Sequence, residues 1–339
     1  MKTFMLTLLA GGARNAMLDS MLEAFDSEVF ELEKLIHPAA DAAPRNTFTS
    51  EVPQAEHSIM RMSVRQRLSV GPTMLKLMRE MNGSSRYYSQ TFEPTQVEAS
   101  AEDFAGIEAV AKEQGATAVG YVHVPDHAIF GGKAIPHRQA ILYTVPMSKA
   151  ILDTAPSFEA FREVAGCYLK LAQIGNALTK MLRGRGHAAY PGTALGGLSD
   201  YTQLAELAGL GTIGYHGLLI SPTDGALLRI NAIYTSIENI PAPPEPPGWI
   251  RDFCAMCRKC VRQCPVDAIH PEPVVLDSGR VQCIDSAACL DYFDRNFGCA
   301  VCADVCPFSQ KGFDLLAARF KGNPDAPSYA VSGSGLAGE

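Results

Sequence analysis

Nine of the ten cysteines in this 339-residue chain lie between positions 254 and 306. They run Cys254-x-x-Cys257-x-x-Cys260-x-x-x-Cys264-Pro265, then Cys283 and Cys289, then Cys299-x-x-Cys302-x-x-x-Cys306-Pro307. Thiolates are ligands for soft metals and for iron–sulfur clusters. A cubane needs four of them. A tight turn with a cysteine at every third residue supplies three, and in a two-cluster run the cysteine before the proline serves the other cluster. By that rule Cys254, Cys257, Cys260 and Cys306 hold one 4Fe-4S cluster, and Cys264, Cys299, Cys302 and one more cysteine hold a second. That last ligand is Cys283 or Cys289. Cys289 is favoured because it is closer to Cys299, with the aromatic pair Tyr292 and Phe293 between them. Cys283 and Cys167 are then small buried thiols. Disulfide scaffolds spread their cysteines through short secreted chains, and zinc sites use four ligands per ion. Neither explains two Cys-Pro endings.

Length and composition bound what must position these ligands. The chain exceeds one typical domain, and its 47% hydrophobic content suffices for a sizeable core. A formal charge of −7 argues against a nucleic-acid binder. One basic stretch, residues 61–86 with Arg65, Arg67, Lys76 and Arg79, reads as a solvated helix face rather than a site for an anionic partner. No run reaches the apolar length of a membrane span. The start, Lys2 and then residues 4–10, reads as a first strand rather than a signal peptide. A Gly11-Gly12 turn follows, then a helix carrying Met17, Leu18, Met21, Leu22 and Phe25. A cluster protein without a twin-arginine signal is expected in the cytoplasm.

The clearest boundary is the proline-rich run at 240–247, expected to be a stiff extended spacer. It divides a variable region (1–100) and an α/β domain (101–240) from a cluster module (249–315). A loose tail of Gly, Pro, Ser and Ala is expected at 321–339. Ser100, three residues before Asp103, caps a helix that Gly115 ends. Residues 118–124 and 140–145 are β-rich apolar runs. From Phe161, apolar residues recur at helical spacing through Tyr168, Leu171, Gly175, Leu178 and Leu182, and stop at Gly184 and Gly186. Residues 228–234 mostly alternate apolar and polar, as a strand does. The expected fold class is α/β, in the α+β sense, with helices around a sheet core.

Residues 208–222 read Ala-Gly-Leu-Gly-Thr-Ile-Gly-Tyr-His-Gly-Leu-Leu-Ile-Ser-Pro and are followed by Gly225 and Arg229. With residues 183–191 and 297–309, this segment resembles a signature of the reductive dehalogenase and epoxyqueuosine reductase family, particularly the dehalogenase branch. The resemblance covers about residues 100–312. It implies a nitroreductase-like, cobalamin-binding α/β domain followed by a bacterial ferredoxin-like module with two 4Fe-4S clusters.

The implied chemistry is a reductase. A reduced partner (a ferredoxin, flavodoxin or reductase) passes electrons through the clusters to cobalt, which reduces a small organic substrate. Tyr168 corresponds to the tyrosine that donates a proton in dehalogenases. Gly209, Gly211, Gly214 and Gly217 would let the backbone lie against a corrin, with Tyr215, His216, Leu219 and Ser221 as further cofactor contacts. The chain departs from its relatives at Ala194 and Leu227, where dehalogenases commonly carry asparagine and arginine. It departs again at Leu195, where epoxyqueuosine reductases carry aspartate. These departures keep open an alternative, a non-catalytic electron-transfer or cobalamin-handling protein.

Overall fold

The computed structural model describes residues 25–40, 42, 52–277 and 281–321. The strand and turn expected at 4–12 and the tail beyond 321 lie outside the described residues. The centre is a four-stranded sheet of β1 (Ala118–His123), β2 (Gln139–Pro146), β3 (Ala189–Pro191) and β6 (Leu228–Thr235), in the order β1-β2-β6-β3. Every pairing in it is antiparallel. Helices alternate with strands along the sequence, yet no parallel crossover results, so the sheet has the α+β form.

β2 is buried along nearly its whole length because both of its faces are covered. Side chains alternate across a strand. Ile141, Tyr143 and Val145 therefore join one hydrophobic cluster, and Ala140 and Leu142 join another. The first face carries three helices, α1 (Val64–Ser85), α2 (Ala101–Glu113) and α3 (Phe158–Gly184). Each starts on a serine, Ser63, Ser100 or Ser157, whose hydroxyl accepts a hydrogen bond from a first-turn N–H. The second face carries α4 (Tyr201–Leu207) and residues around Phe25 and Val29.

One buried polar network fixes α3 on the sheet. The Tyr143 hydroxyl donates to the Leu171 carbonyl (2.8 Å) and accepts from Asn231 Nδ2 (2.9 Å), which also donates to the Gly192 carbonyl (3.1 Å). At its far end the Arg183 guanidinium stacks 4.8 Å from the rings of both Tyr87 and Tyr190 and bonds the Tyr87 carbonyl.

The proline-rich run is irregular, as expected, but it does not stand free. It lies along the glycine-rich segment, where Thr212 Oγ1 donates to the Pro247 carbonyl (3.1 Å). Beyond it, Ile250, Phe253, Cys254, Cys306 and Phe308 share one hydrophobic cluster with Ile220, Ala226, Leu227 and Ile233. The cluster module and the sheet domain thus share a core. Gly225, at φ +60°, makes the join possible: a Cβ there would meet the Phe308 backbone at 2.7 Å. The adjacent Ala226 N–H donates to Ser309 Oγ (3.2 Å).

The Tyr143 network yields a stability test. Tyr143→Phe keeps the ring but strips hydrogen-bond partners from Leu171 and Asn231. It should cost about 1–2 kcal/mol, read as a lower denaturant midpoint at unchanged slope. An unmoved midpoint would show that the network does not hold the helix.

Candidate iron–sulfur and substrate site

Each cysteine turn has a left-handed residue just before a single helical turn. Helix α5 (Trp249–Cys257) ends at Arg258, which is left-handed (φ 47°), and a single turn, α6 (Lys259–Arg262), follows. In the second motif Cys299 and Ala300 are left-handed (φ 47° and 74°), and the turn α8 (Val301–Asp304) follows. Cys257, Cys260 and Cys264 therefore match Cys299, Cys302 and Cys306 in position. Cys254 has no counterpart three residues before Cys299, where Asn296 stands. The neighbouring helix α7 (Ser286–Arg295) carries Cys289.

The thiols fall into two groups. Cys254, Cys257, Cys260 and Cys306 line one hollow together with His216, Phe253 and Phe308. Burial pushes the Cys254 and Cys260 thiols up to about 12, reinforced by their cysteine neighbours. In the second group, burial pushes Cys289 up to about 11, with Cys299 and Cys264 adding to it. Cys302 is raised by burial and then by Cys299, Cys289, Cys260 and Cys264. The two groups thus adjoin between Cys260 and Cys302. Cys283 is also raised to about 11 by burial, but its thiol points at the Gly214 carbonyl (3.6 Å). It influences Cys254 and Cys260 and is not among the charges felt by Cys289, Cys299 or Cys302. Cys167, on α3, donates to the Pro146 carbonyl (3.4 Å), away from both groups.

The donor set fits clusters. A buried thiol with a raised pKa becomes a thiolate only in the field of a metal. Among the described residues, no three His, Cys, Asp or Glu side chains stand close enough to hold a single ion.

Beside the second group lies an apolar cavity of about 150 Å³. Tyr168 and Val164 of α3, Arg229 of β6, Leu195, and the segment Phe297–Ala300 line it, and His57, Ser58 and Ile59 close one wall. The Arg229 guanidinium lies 5.5 Å from the Tyr168 ring centroid, and its Nε is buried without a hydrogen-bond partner. Ser58 Oγ donates to the Asp294 carbonyl (2.8 Å) and accepts from the Phe297 N–H (2.8 Å), tying this wall to the second cysteine turn. Tyr168 had been singled out in the sequence. The Arg229 partnership and the 57–59 wall had not, because nothing in the spacing joins them.

The glycine-rich segment packs closely on the rest of the protein. A Cβ on Gly209 would meet Pro244, one on Gly211 the Ile220 carbonyl, and one on Gly217 the Cys283 side chain. Leu219 and Ser221 are buried in a short internal hairpin. Tyr215 and His216 adjoin the first cysteine group: the Tyr215 backbone draws the Cys254 thiol's pKa down against burial, and His216 lines the hollow.

Comparison with known proteins agrees with this architecture. Residues 247–270 match the 4Fe-4S binding domain family. The chain is 32% identical over 155 residues to the tetrachloroethene reductive dehalogenase of Sulfurospirillum multivorans, covering 43% of this chain and 30% of that protein. It is 38% identical over 112 residues to the epoxyqueuosine reductase of a Synechococcus strain, covering 31% of this chain and 33% of that protein. The chain thus spans about a third of the length of the curated relatives it matches. Its fold matches the catabolic reductive dehalogenase NpRdhA, solved with 3-bromo-4-hydroxybenzoic acid. The TM-score is 0.67 at 18% identity, over 78% of this chain and 40% of that one. Among the described residues no helix is long and apolar enough to cross a membrane.

Iron and sulfide analysis checks the grouping. Anaerobically reconstituted protein should hold about eight irons and eight sulfides per chain, four of each per cubane. Cys289→Ala should halve that content and Cys283→Ala should leave it intact. The reverse pattern would transfer the ligand to Cys283.

Proposed function

We propose that the chain is an iron–sulfur oxidoreductase of the reductive-dehalogenase type. It passes electrons from a reduced protein partner through two 4Fe-4S clusters to a small organic molecule beside Tyr168. The observation that carries this reading is contiguity: Cys299 and Ala300 of the second cysteine turn form one wall of the cavity that Tyr168 and Arg229 line. The clusters supply single electrons. The chain's own residues supply the rest. Apolar walls from Val164, Leu195 and Phe297 exclude water, Arg229 orients the tyrosine ring, and the Tyr168 hydroxyl supplies the proton that a reduced carbon centre takes up.

The likeness to reductive dehalogenases supports cobalamin as a further group. The residues present do not accommodate it as they stand. The cavity of about 150 Å³ is below the roughly 300–1,000 Å³ of pockets for drug-sized ligands, and a corrin is larger than those ligands. Titration with cobalamin decides the matter. A saturable spectral change is expected of a cobalamin enzyme, and an unchanged spectrum up to high micromolar cobalamin would leave the clusters to reduce the substrate directly.

A second reading, an electron carrier with an inert cavity, is favoured by the apolar Ala194, Leu195 and Leu227, all buried where relatives carry polar side chains. Turnover separates the two. Haloaromatics, haloalkanes, epoxides and activated alkenes, offered with a strong reductant, should include a substrate. On that substrate Tyr168→Phe should lose about two to four orders of magnitude in rate, with stability nearly unchanged. A variant as active as the parent would return Tyr168 to a packing role.

A further inference from the structure

We infer that His216 donates a hydrogen bond from Nε2–H to the cluster held by Cys254, Cys257, Cys260 and Cys306, and so raises the reduction potential of that cluster. The inference rests on the cluster reading above and adds to it a residue outside the cysteine motifs.

Three observations converge on the ring. Its Nδ1 accepts a hydrogen bond from the Leu218 N–H (3.1 Å), which places the ring proton on Nε2. Among the described residues Nε2 has no hydrogen-bond partner, and it is buried in a residue only 4% exposed. A buried N–H without a partner costs about 1–3 kcal/mol and calls for an explanation. The same ring borders the hollow lined by the four thiols.

The surrounding backbone is shaped to hold the imidazole there. A Cβ at Gly214 would sit 2.9 Å from His216 Cε1, so the glycine makes room for the ring. The backbone of the preceding residue, Tyr215, draws the Cys254 thiol's pKa down against burial. The segment 214–218 thus borders the first cysteine group. Hydrogen bonds to cluster sulfurs are one of the determinants of potential. A donor stabilises the reduced cluster, which carries one more electron, over the oxidised one. Electron transfer into this cluster is therefore easier with His216 than without it, and no proton moves in the step. His216 is a positioning residue toward the cluster and has no role at the substrate cavity.

The test uses full-length protein reconstituted anaerobically, with iron and sulfide counted first. Too few irons in the unsubstituted protein would overturn the cluster reading itself. With both clusters present, an EPR-monitored redox titration compares His216→Phe, which keeps a ring without the donor, and His216→Gln, which keeps an N–H. His216→Phe should shift the reduction equilibrium of one cluster about tenfold toward oxidation, which is about 59 mV lower for a one-electron couple. The other cluster should stay unmoved, and His216→Gln should recover more than half of the shift. An unchanged potential in His216→Phe, or equal shifts in both variants, would overturn the inference. Should His216→Phe fail to retain its clusters, the unsubstituted protein decides. Pulsed EPR on reduced protein with ¹⁵N-labelled histidine should show a weak nitrogen coupling to one cluster, and absence of that coupling would overturn the inference.

Discussion

The rest of the structure depends on its two cysteine groups, in which the buried thiols of Cys254, Cys257, Cys260 and Cys306 would be charged only when metal is bound. Burial raises the Cys254, Cys260 and Cys289 thiols to about 11 or 12, so without metal they are neutral, poorly ligating side chains. Metal ligation converts each to a thiolate, and the free energy of that step becomes folding free energy. In the proposed clusters the ligands cross between motifs, so neither turn would complete a site alone. Cys306 closes the hollow begun by the first turn, and Cys264 joins the group formed by the second. The two halves of the module must therefore assemble together.

That constraint reaches into the sheet domain. Phe308, next to the Cys306-Pro307 ending, is buried with Phe253 and Trp249 and rests directly on Gly225, at the entrance to β6. Four residues later, β6 presents Arg229 to the Tyr168 ring. The same short connection that seats the first cluster site thus sets the cavity residue that faces the second. The cavity beside Tyr168 and the cysteine groups are held by one continuous core.

The cysteine chemistry was legible in the sequence because ligand spacing is a local code: three thiols on one turn and a proline that ends it. Helices α2 and α3 and strands β1, β2 and β6 were legible for the same reason, since Ser100, Gly115 and the apolar spacings act within a few residues. What could not be read is long-range. The antiparallel order of the sheet depends on which strands meet, and the cavity joins residues 57–59, 168, 195, 229 and 297–300 across the whole fold. Gly209, Gly211 and Gly217 do mark close approach, but glycine spacing does not say whether a ligand, a proline-rich run or a cysteine does the approaching. In the sequence His216 stands out as a candidate cofactor contact in that segment. Its significance comes from the Cys254 hollow, which is distant in sequence.

The most direct test of the crossed ligand sets is a double-substitution experiment on iron content. Cys257→Ala and Cys306→Ala should each leave about four irons per chain. Because both residues serve the same cluster, combining them should remove no more. Combining Cys306→Ala with Cys299→Ala should instead remove nearly all the iron, since each variant abolishes a different cluster. The opposite pattern, with Cys306 and Cys299 redundant and Cys306 and Cys257 additive, would mean that each cysteine motif closes its own cluster, and would contradict the account.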